Sequence, residues 1–406
     1  MKKKFLPLAL ALVVGLGVTS CTVEINDDID NPTTVVPPGT TEGVLSGTGT
    51  LTGTIAKDLL IKKGNYTLDG LVKVTNGATI TIEAGAVFNV VTNKTSALII
   101  LNDGLINAQG TASEPIVFTT SSKTPGDWGG ITIYGEAPIK ALNGNTTAIS
   151  EDGNALSYGG NNPNDYSGIM KFVRVEYAGK KIGDGTSETN TFTFYSVGAA
   201  TVLENLVAYK GTDDGFEWFG GTVSGKNLVA YGNYDDSFDW QDAWSGQTNS
   251  NWFAYQVGTG NFGMEIEASS NADNTPPKVS NITLIRAAGT NPETANSPEI
   301  TAIQFKKQGT GLFSNVYISG YKNIGSQKAY SVLIQDIATE TSQVNTGKIK
   351  VEPMTYLDSD NLGVWGYAYT PNGGKTFTNT ATVTKVAMTG GAWTTVDGVD
   401  LLAALK

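Results

Sequence analysis

Short runs of alternating hydrophobic and polar residues dominate the chain after its first fifty positions. Residues 78–83 (Ala-Thr-Ile-Thr-Ile-Glu) and 172–177 (Phe-Val-Arg-Val-Glu-Tyr) have the two-residue period of β-strands. Gly, Asn and Thr are abundant between such runs, and no long stretch has the period of a helix. The pattern predicts an all-β protein and leaves a sandwich, a barrel, a propeller and a solenoid open.

An internal repeat decides among these architectures. Residues 204–218 (ENLVAYKGTDDGFEW) and 226–240 (KNLVAYGNYDDSFDW) are identical at nine of fifteen positions, with a constant offset of 22. A third copy starts at Trp252 with an offset of 24. Weaker echoes of its first strand start at Lys171, Asn281 and Asn315. A propeller requires a period nearer to about 40 residues, and leucine-rich repeats require a leucine and asparagine frame that is absent here.

A repeat of this length, made only of short strands, indicates a solenoid with one coil per repeat. We therefore predict a right-handed, single-stranded parallel β-helix with about 22 residues per coil, in which equivalent residues stack roughly 4.8 Å apart. The helix is expected over residues 46–390, with Phe216, Phe238 and Phe262 pointing inward. Loops are expected near 140–165, 180–191 and 268–278, and residues 391–406 are expected to cap one end.

The first 45 residues predict export and a lipid anchor. Lys2, Lys3 and Lys4 precede an apolar run from Phe5 to Val18 that is too short to span a bilayer, so residues 1–20 have the features of a signal peptide. Cys21 is the only cysteine, which excludes an intramolecular disulfide. Lipidation of Cys21 after cleavage explains a lone exported thiol best, and an ordinary signal peptide with a free cysteine is the alternative. Residues 21–45 are acidic and then rich in Pro, Thr and Gly, which predicts a tether.

The charge and the absent residue types exclude several functions. Without the three signal lysines the chain carries 24 basic and 38 acidic residues, a formal charge of −14, so no nucleic-acid partner is expected. The chain has no histidine, which excludes His-dependent nucleophiles, histidine general bases and His-ligated zinc. A metal site must therefore use oxygen ligands, which favours calcium.

Two acidic triplets recur in the repeat and supply the candidate metal ligands. If the phenylalanines point inward, the last acid of each triplet projects outward, one above the other at roughly 5 Å. Close carboxylates require a cation, protons or basic neighbours. Calcium binding, a metal-free turn shaped by Asp, and a catalytic pair of Glu217 and Asp239 all remain open. The candidate metal ligands are Asp213, Asp214, Glu217, Asp235, Asp236 and Asp239.

Aromatic residues are concentrated beside these triplets and indicate a glycan-binding surface, because tryptophan faces stack on sugar rings. Trp218 and Trp240 are expected in the core. Tyr234 and Trp244 lie in predicted turns and are expected to be exposed, and Trp252 is the third candidate ligand-binding residue.

Two family resemblances follow from these motifs. Residues 79–88 (TITIEAGAVF), 126–135 (GDWGGITIYG) and 216–223 (FEWFGGTV) resemble β-helix lipoproteins of Bacteroidetes, which implies the outer membrane and, from the acidic residues behind Cys21, the cell surface. The acidic triplet resembles the calcium motif of family 9 pectate lyases, in which a lysine on a following coil is the base. Gly263 stands at the nearest counterpart of that lysine, so Arg286, Lys306 or Lys307 would have to reach the same face.

The sequence thus predicts a surface lipoprotein that binds an extracellular polysaccharide or a partner protein, with calcium ordering the acidic residues. A calcium-dependent polysaccharide lyase or a carboxylate glycosidase is the enzymatic alternative, with Glu217, Asp239 and Arg286 as candidate catalytic residues. An accessory subunit of an outer-membrane complex is the third interpretation.

Overall fold

The computed structural model describes residues 43–182, 187–294, 299–375 and 382–406. Cys21 and the predicted signal and tether therefore lie outside the described residues, apart from the last three tether positions. Within the described ranges, no helix has the length and hydrophobicity needed to cross a bilayer. The described residues form mostly short strands, with a few helical turns between them.

The first half of the chain contains β1 to β14. They are β1 Gly43–Ile55, β2 Leu59–Val74, β3 Thr79–Ile82, β4 Val87–Val90, β5 Ala97–Ile100, β6 Leu105–Gln109, β7 Ile116–Thr119, β8 Ile131–Tyr134, β9 Ala148–Ile149, β10 Ser157–Tyr158, β11 Gly168–Glu176, β12 Lys181–Ile182, β13 Ser187–Glu188 and β14 Phe192–Tyr195.

The second half contains β15 to β29. They are β15 Val202–Tyr209, β16 Phe216–Phe219, β17 Ser224–Tyr231, β18 Phe238–Gln241, β19 Asn249–Gln256, β20 Met264–Ile266, β21 Lys278–Arg286, β22 Ile303–Phe305, β23 Gly311–Ser319, β24 Val332–Ile334, β25 Ile349–Val351, β26 Met354–Leu357, β27 Gly366–Tyr367, β28 Thr395–Val396 and β29 Val399–Asp400. Short helical segments are Leu142–Gly144, Ile337–Thr339, Glu340–Val344, Ala392–Thr394 and Ala403–Leu405.

Twenty-three of these strands form one sheet that coils around an axis, and its pairings are parallel. The long strands β11, β15, β17, β19, β21 and β23 form one stack, and the short strands β14, β16, β18, β20, β22 and β24 form another. Tyr209 pairs with Tyr231 and Phe216 with Phe238, which is the predicted offset of 22. The prediction of a parallel β-helix is confirmed.

Each long strand of the middle coils bends at an asparagine that adopts a left-handed backbone conformation, for example Asn227 with φ 55°. Asparagine tolerates this conformation better than most residues, and the strand pairing skips the bend. The side-chain amides then donate along the stack, from Asn227 to Asn205 at 2.8 Å and from Asn251 to Asn227 at 2.8 Å. The full ladder is Asn205, Asn227, Asn251, Asn281 and Asn315. These asparagines fix the register between coils.

The interior is filled by stacked aromatic rings in the middle coils. The Phe216 ring lies 5.0 Å from Phe192 and 5.6 Å from Phe238, and Trp218 lies 5.2 Å from Trp252. Trp218 is fully buried, as predicted. The prediction that Phe262 holds the same inward strand position is wrong, because Phe238 pairs with Met264, although Phe262 is itself buried. The turn before β20 is longer than in the preceding coil, which moves Phe262 out of the strand.

The C-terminal residues 382–406, here called the C-terminal strap, lie along the side of the β-helix. Val386 and Trp393 pack against the outward side chains of Val207, Val229 and Phe253 in the long-strand stack. The prediction that the C-terminus closes an end is therefore wrong. The strap buries a row of outward-facing apolar side chains on the middle coils. The strand period alone does not reveal that these side chains are covered.

A second row of outward-facing side chains, on the short-strand stack, is covered by the long connection between β8 and β11 (residues 135–167, here called the arm loop). The Tyr195 ring lies 4.8 Å from Tyr134, 4.3 Å from Phe219 and 4.7 Å from Tyr158 of the arm loop. The Tyr158 hydroxyl donates to Asp242 at 2.5 Å. These contacts hold the arm loop across the short-strand stack, and they place Glu151 beside its acidic residues.

Candidate metal centre in an acidic cleft

The six predicted metal ligands come together in one cleft on the short-strand stack, with a volume of about 300 Å³. Nine carboxylates, two lysines and one glutamine line it. They are Glu151, Asp213, Asp214, Glu217, Asp235, Asp236, Asp239, Gln241, Glu265, Glu267, Lys306 and Lys307. Their clustering follows from the coil repeat, because equivalent positions on successive coils stack directly.

The floor of the cleft is a column of acids on β16, β18 and β20. Glu217 pairs with Asp239, and Asp239 pairs with Glu265, in register. Their neighbours Trp218 and Trp240 are buried in the interior, so alternation along the strand turns the acids outward. The predicted stacking of Glu217 on Asp239 is confirmed. The longer turn makes Glu265, which was not among the residues predicted from the sequence, the third member.

The carboxylate oxygens are close enough to share cations. Three groups each offer three oxygens that lie within 4.8 Å of one another. The groups are Asp213 with Asp214 and Asp235, Asp214 with Glu217 and Asp239, and Asp236 with Asp239 and Glu265. The first and second groups share Asp214, and the second and third share Asp239, so these two residues link the three groups.

The second aspartate of each triplet also links neighbouring coils. One oxygen of Asp214 accepts the backbone N–H of Asp236 at 2.9 Å, and one oxygen of Asp236 accepts that of Phe262 at 2.6 Å. Asn190 has the same role in the preceding coil, where its side-chain oxygen accepts the N–H of Asp214 at 3.2 Å. The structural role of Asp in a turn is therefore present alongside the clustering, since each aspartate also belongs to the cluster.

Two lysines reach the cleft from the two positions that directly follow β22. Lys306 donates to Glu265 and lies 3.7 Å from Glu267, and Lys307 lies 2.7 Å from Glu267. Their positive charges offset those of Glu265 and Glu267 at the outer end of the acidic column. Glu151 and Glu267 were also not predicted from the sequence, since the arm loop has no repeat and Glu267 lies just past β20.

Burial and mutual repulsion raise the pKa of the four innermost carboxyl groups. For Glu217 and Asp239 the larger cause is loss of solvent, followed by the charges of Glu151 and Glu265 respectively. Burial is also the larger cause for Asp214 and Asp236, whose pKa values are raised well above the usual range. Bound protons or cations are therefore favoured over a cluster of ionised carboxylates alone.

The donor set fits calcium. The acidic side chains that line the cleft offer only carboxylate oxygens, and the chain has no histidine that could compete as a ligand. One oxygen of Asp239 (Oδ1) is buried and accepts no hydrogen bond from the described residues, and an unpartnered buried polar atom requires an explanation. Asp239 lies on β18 and not in the turn, so the turn role of Asp214 and Asp236 does not account for this oxygen. A cation shared by the two groups that meet at Asp239, or a proton on its carboxyl group, would give it a partner.

Neither Gly263 nor Arg286 lies at the cleft, where the sequence analysis looked for a catalytic base. A side chain at Gly263 would point into the interior, because its Cβ would lie 2.7 Å from both the Ala302 carbonyl and the Tyr321 hydroxyl. Position 263 therefore does not face the cleft, and the glycine there says nothing about whether the cleft has a base. Arg286 is buried at 4 % exposure and does not line the cleft, so its candidacy as a catalytic base is wrong.

The predicted catalytic pair is also constrained. Glu217 is 4 % exposed, and its two oxygens accept hydrogen bonds from Asn190 and from Gln241. Such a residue offers no accessible acid to a glycosidic bond. The pairing of Glu217 with Asp239 as glycosidase residues is therefore not supported by their geometry.

The expected aromatic surface is largely internal. Trp244 and Trp252 are 1 % and 0 % exposed, and both rings stack on Trp218 in the interior. Their indole N–H groups donate to the carbonyls of Val223 and Gly225 at 3.0 Å, so burial leaves both nitrogens paired. The prediction that they bind ligand is wrong, because no sugar can reach them. Tyr234 is half-buried, and its role stays a prediction.

Comparison with known proteins agrees with this architecture. The family model described as pectate-lyase like beta helix domain matches residues 53–396. No curated protein and no solved structure matches the chain significantly. A family of this description fits a polysaccharide-related function in general. Since the match covers most of the sequence, the chain belongs to the pectate-lyase-like β-helix domain family.

Proposed function

We propose that this protein is a lipid-anchored surface protein that binds acidic polysaccharide through calcium ions held in the acidic cleft. The observation that carries the proposal is Asp239, which belongs to two groups of clustered carboxylates and has a buried oxygen without a hydrogen-bond partner among the described residues. Calcium takes six to eight oxygen ligands. The carboxylates of the cleft would supply some of these and leave positions for oxygens of a ligand.

Charge favours an acidic ligand once cations are bound. Nine carboxylates repel a polyuronate, and two lysines do not offset them. A bound calcium ion reverses this, because it can join carboxylates of the protein and of the polysaccharide. Lys306 and Lys307 lie at the same cleft and would favour anionic groups of the ligand. Binding is therefore expected to require calcium.

Retention on immobilised polygalacturonate tests the proposal. We expect the protein to bind in calcium and to elute with chelator, and we expect Asp239→Asn to lose about tenfold or more in affinity, as is typical when a metal site is disturbed. Asp358→Asn is the matched control, since Asp358 is exposed and lies outside the cleft. Equal retention with and without calcium would refute the proposal.

A polysaccharide lyase is the second candidate, because Lys306 and Lys307 do reach the cleft. A lyase base must be neutral, whereas Lys306 donates to Glu265 and the nearby carboxylates raise its pKa. This ion pair favours binding over catalysis. Ultraviolet absorbance during the same incubation separates the two, since a lyase leaves an unsaturated uronate. A signal lost in Lys306→Met would establish the lyase.

The lipid anchor on Cys21 is also part of the proposal, since Cys21 lies outside the residues that the structure describes. We expect Cys21→Ser to release the protein from membranes and to abolish incorporation of labelled palmitate. A lipid on a residue near the N-terminus would hold the β-helix at a surface through the predicted tether. Unchanged membrane association of the variant would contradict the lipoprotein assignment.

A further inference from the structure

Arg286, one of only two arginines in the chain, lies at the end of β21 beneath the turn that follows β19. It is 4 % exposed. Its guanidinium donates to the carbonyl of Asn261 at 2.9 Å, to the side-chain oxygen of Gln256 at 3.3 Å and to the carbonyl of Thr290 at 3.4 Å. These acceptors are neutral oxygens, so the arginine serves the backbone of the turn.

Gln256 reinforces the same contact. Its amide nitrogen donates to the carbonyls of Asn261 and Phe262, each at 2.9 Å. The turn is thus held from the interior through two consecutive carbonyls. Gly263 follows directly, and only a glycine fits there, because a Cβ would meet the Tyr321 hydroxyl at 2.7 Å.

The other side of this turn holds the acidic cleft. The Asn261 side chain donates to Asp235 at 2.5 Å, and its backbone N–H donates to the Asp235 carbonyl at 3.0 Å. The Phe262 N–H donates to Asp236 at 2.6 Å. Asn261 and Phe262 therefore have hydrogen bonds on both sides of the turn. Their carbonyls accept from Arg286 and Gln256 in the interior, and their N–H groups donate to Asp235 and Asp236 at the cleft. A shift of the turn on the interior side would thus move the aspartates on the cleft side.

The third coil carries different residues at this turn from the two coils before it. In the two preceding coils the aspartate pairs stack on one another, and Asp214 accepts the N–H of Asp236. At the third coil Asn261 and Phe262 replace the acids, and the ladder of carboxylates ends. Here Arg286 and Gln256 donate from the interior to the carbonyls of Asn261 and Phe262.

We infer that Arg286 is a positioning residue for the cation site: through Asn261 and Phe262 it holds Asp235 and Asp236 in the geometry that binds calcium. The inference rests on the proposed calcium site. Residues that orient metal ligands from behind commonly change metal affinity by about ten- to a hundredfold when replaced.

Calorimetric titration with calcium and backbone amide exchange in chelator test this role together. We expect Arg286→Met to weaken calcium binding about tenfold or more and to speed exchange at the Phe262 amide. Arg286→Lys keeps one donor and is expected to restore some of the affinity. Arg174→Met is the matched control, because Arg174 is also buried but donates to Glu176 and to the Ala392 carbonyl, away from the cleft.

Calcium affinity of Arg286→Met equal to that of the parent, or a loss of the same size in Arg174→Met, overturns the inference. If Arg286→Met does not fold, Gln256→Met removes the companion donors and is expected to give the same two changes. If the parent binds no calcium, the proposed function fails by itself. Exchange at Phe262 in chelator then decides the positioning role, and unchanged exchange in Arg286→Met overturns it.

Discussion

Replacement of Trp252 by alanine is expected to lower the free energy of unfolding by about 3–5 kcal/mol, the usual cost of truncating a fully buried aromatic residue. The Trp252 ring lies 4.6 Å from Phe238 and 5.2 Å from Trp218, so the cavity would open between two neighbouring coils. Its indole N–H also donates to the Gly225 carbonyl at 3.0 Å, and that carbonyl would lose its partner.

Denaturant unfolding followed by circular dichroism measures this loss. Tyr234→Ala is the matched control, since Tyr234 is a half-buried aromatic of the adjacent turn and is expected to cost less than about 1 kcal/mol. A variant of Trp252 that keeps parent stability but loses glycan binding would contradict the interior placement. It would also restore the sequence prediction of an aromatic binding surface.

The β-helix was predictable because stacking repeats the same environment at each coil. Asn205 and Asn227 occupy the same strained bend, and Phe216 and Phe238 the same inward position, so the sequence repeats where the environment repeats. The clustering of the acidic triplets followed from the same offset. Register is the property that a solenoid encodes most directly.

The failures share a different cause. The extension of one turn moved Phe262 out of the strand and brought Glu265 into the acidic column. The direction of a side chain in a turn depends on backbone angles that the strand period does not give, which is why Trp244 was expected outside. Glu151 reaches the cleft on the arm loop, where no repeat exists to indicate its position.

The choice between a turn aspartate and a metal ligand could not be made from the sequence, because the same residue does both. Asp236 accepts the Phe262 N–H and also lies within the oxygen cluster formed with Asp239 and Glu265. A pattern of acids is identical in the two cases. The structure adds a buried oxygen without a donor at Asp239, a strand residue of the same cluster, and that depends on distances between coils.

Calcium is expected to raise the melting temperature of the parent, because a ligand that binds only the folded state stabilises it by mass action. At one hundred times its dissociation constant the gain is about 2.7 kcal/mol. The double variant Asp235→Asn with Asp239→Asn is expected to lose this gain. In chelator at a pH of about 7.5 the same variant is expected to melt above the parent, because it removes two carboxyl groups whose ionisation burial and the neighbouring carboxylates disfavour.

The dependence on pH follows from the raised pKa of the inner carboxyl groups. In the unfolded chain these groups release protons near a pH of about 4, whereas in the folded protein they retain them to higher pH. The folded state binds more protons across that window, so stability falls as pH rises through it. In chelator the parent is therefore expected to melt higher at a pH of about 5 than at about 7.5, and saturating calcium is expected to reduce the difference.

Differential scanning calorimetry of the parent and the double variant at the two pH values, with calcium or chelator, measures these changes in melting temperature. Asp358→Asn again serves as the control, because it removes one carboxylate charge without touching the cleft. A parent melting temperature that chelator and calcium leave unmoved would mean that protons and the two lysines neutralise the cluster. The carboxylates would then be structural, and the proposed calcium-dependent binding would lose its physical basis.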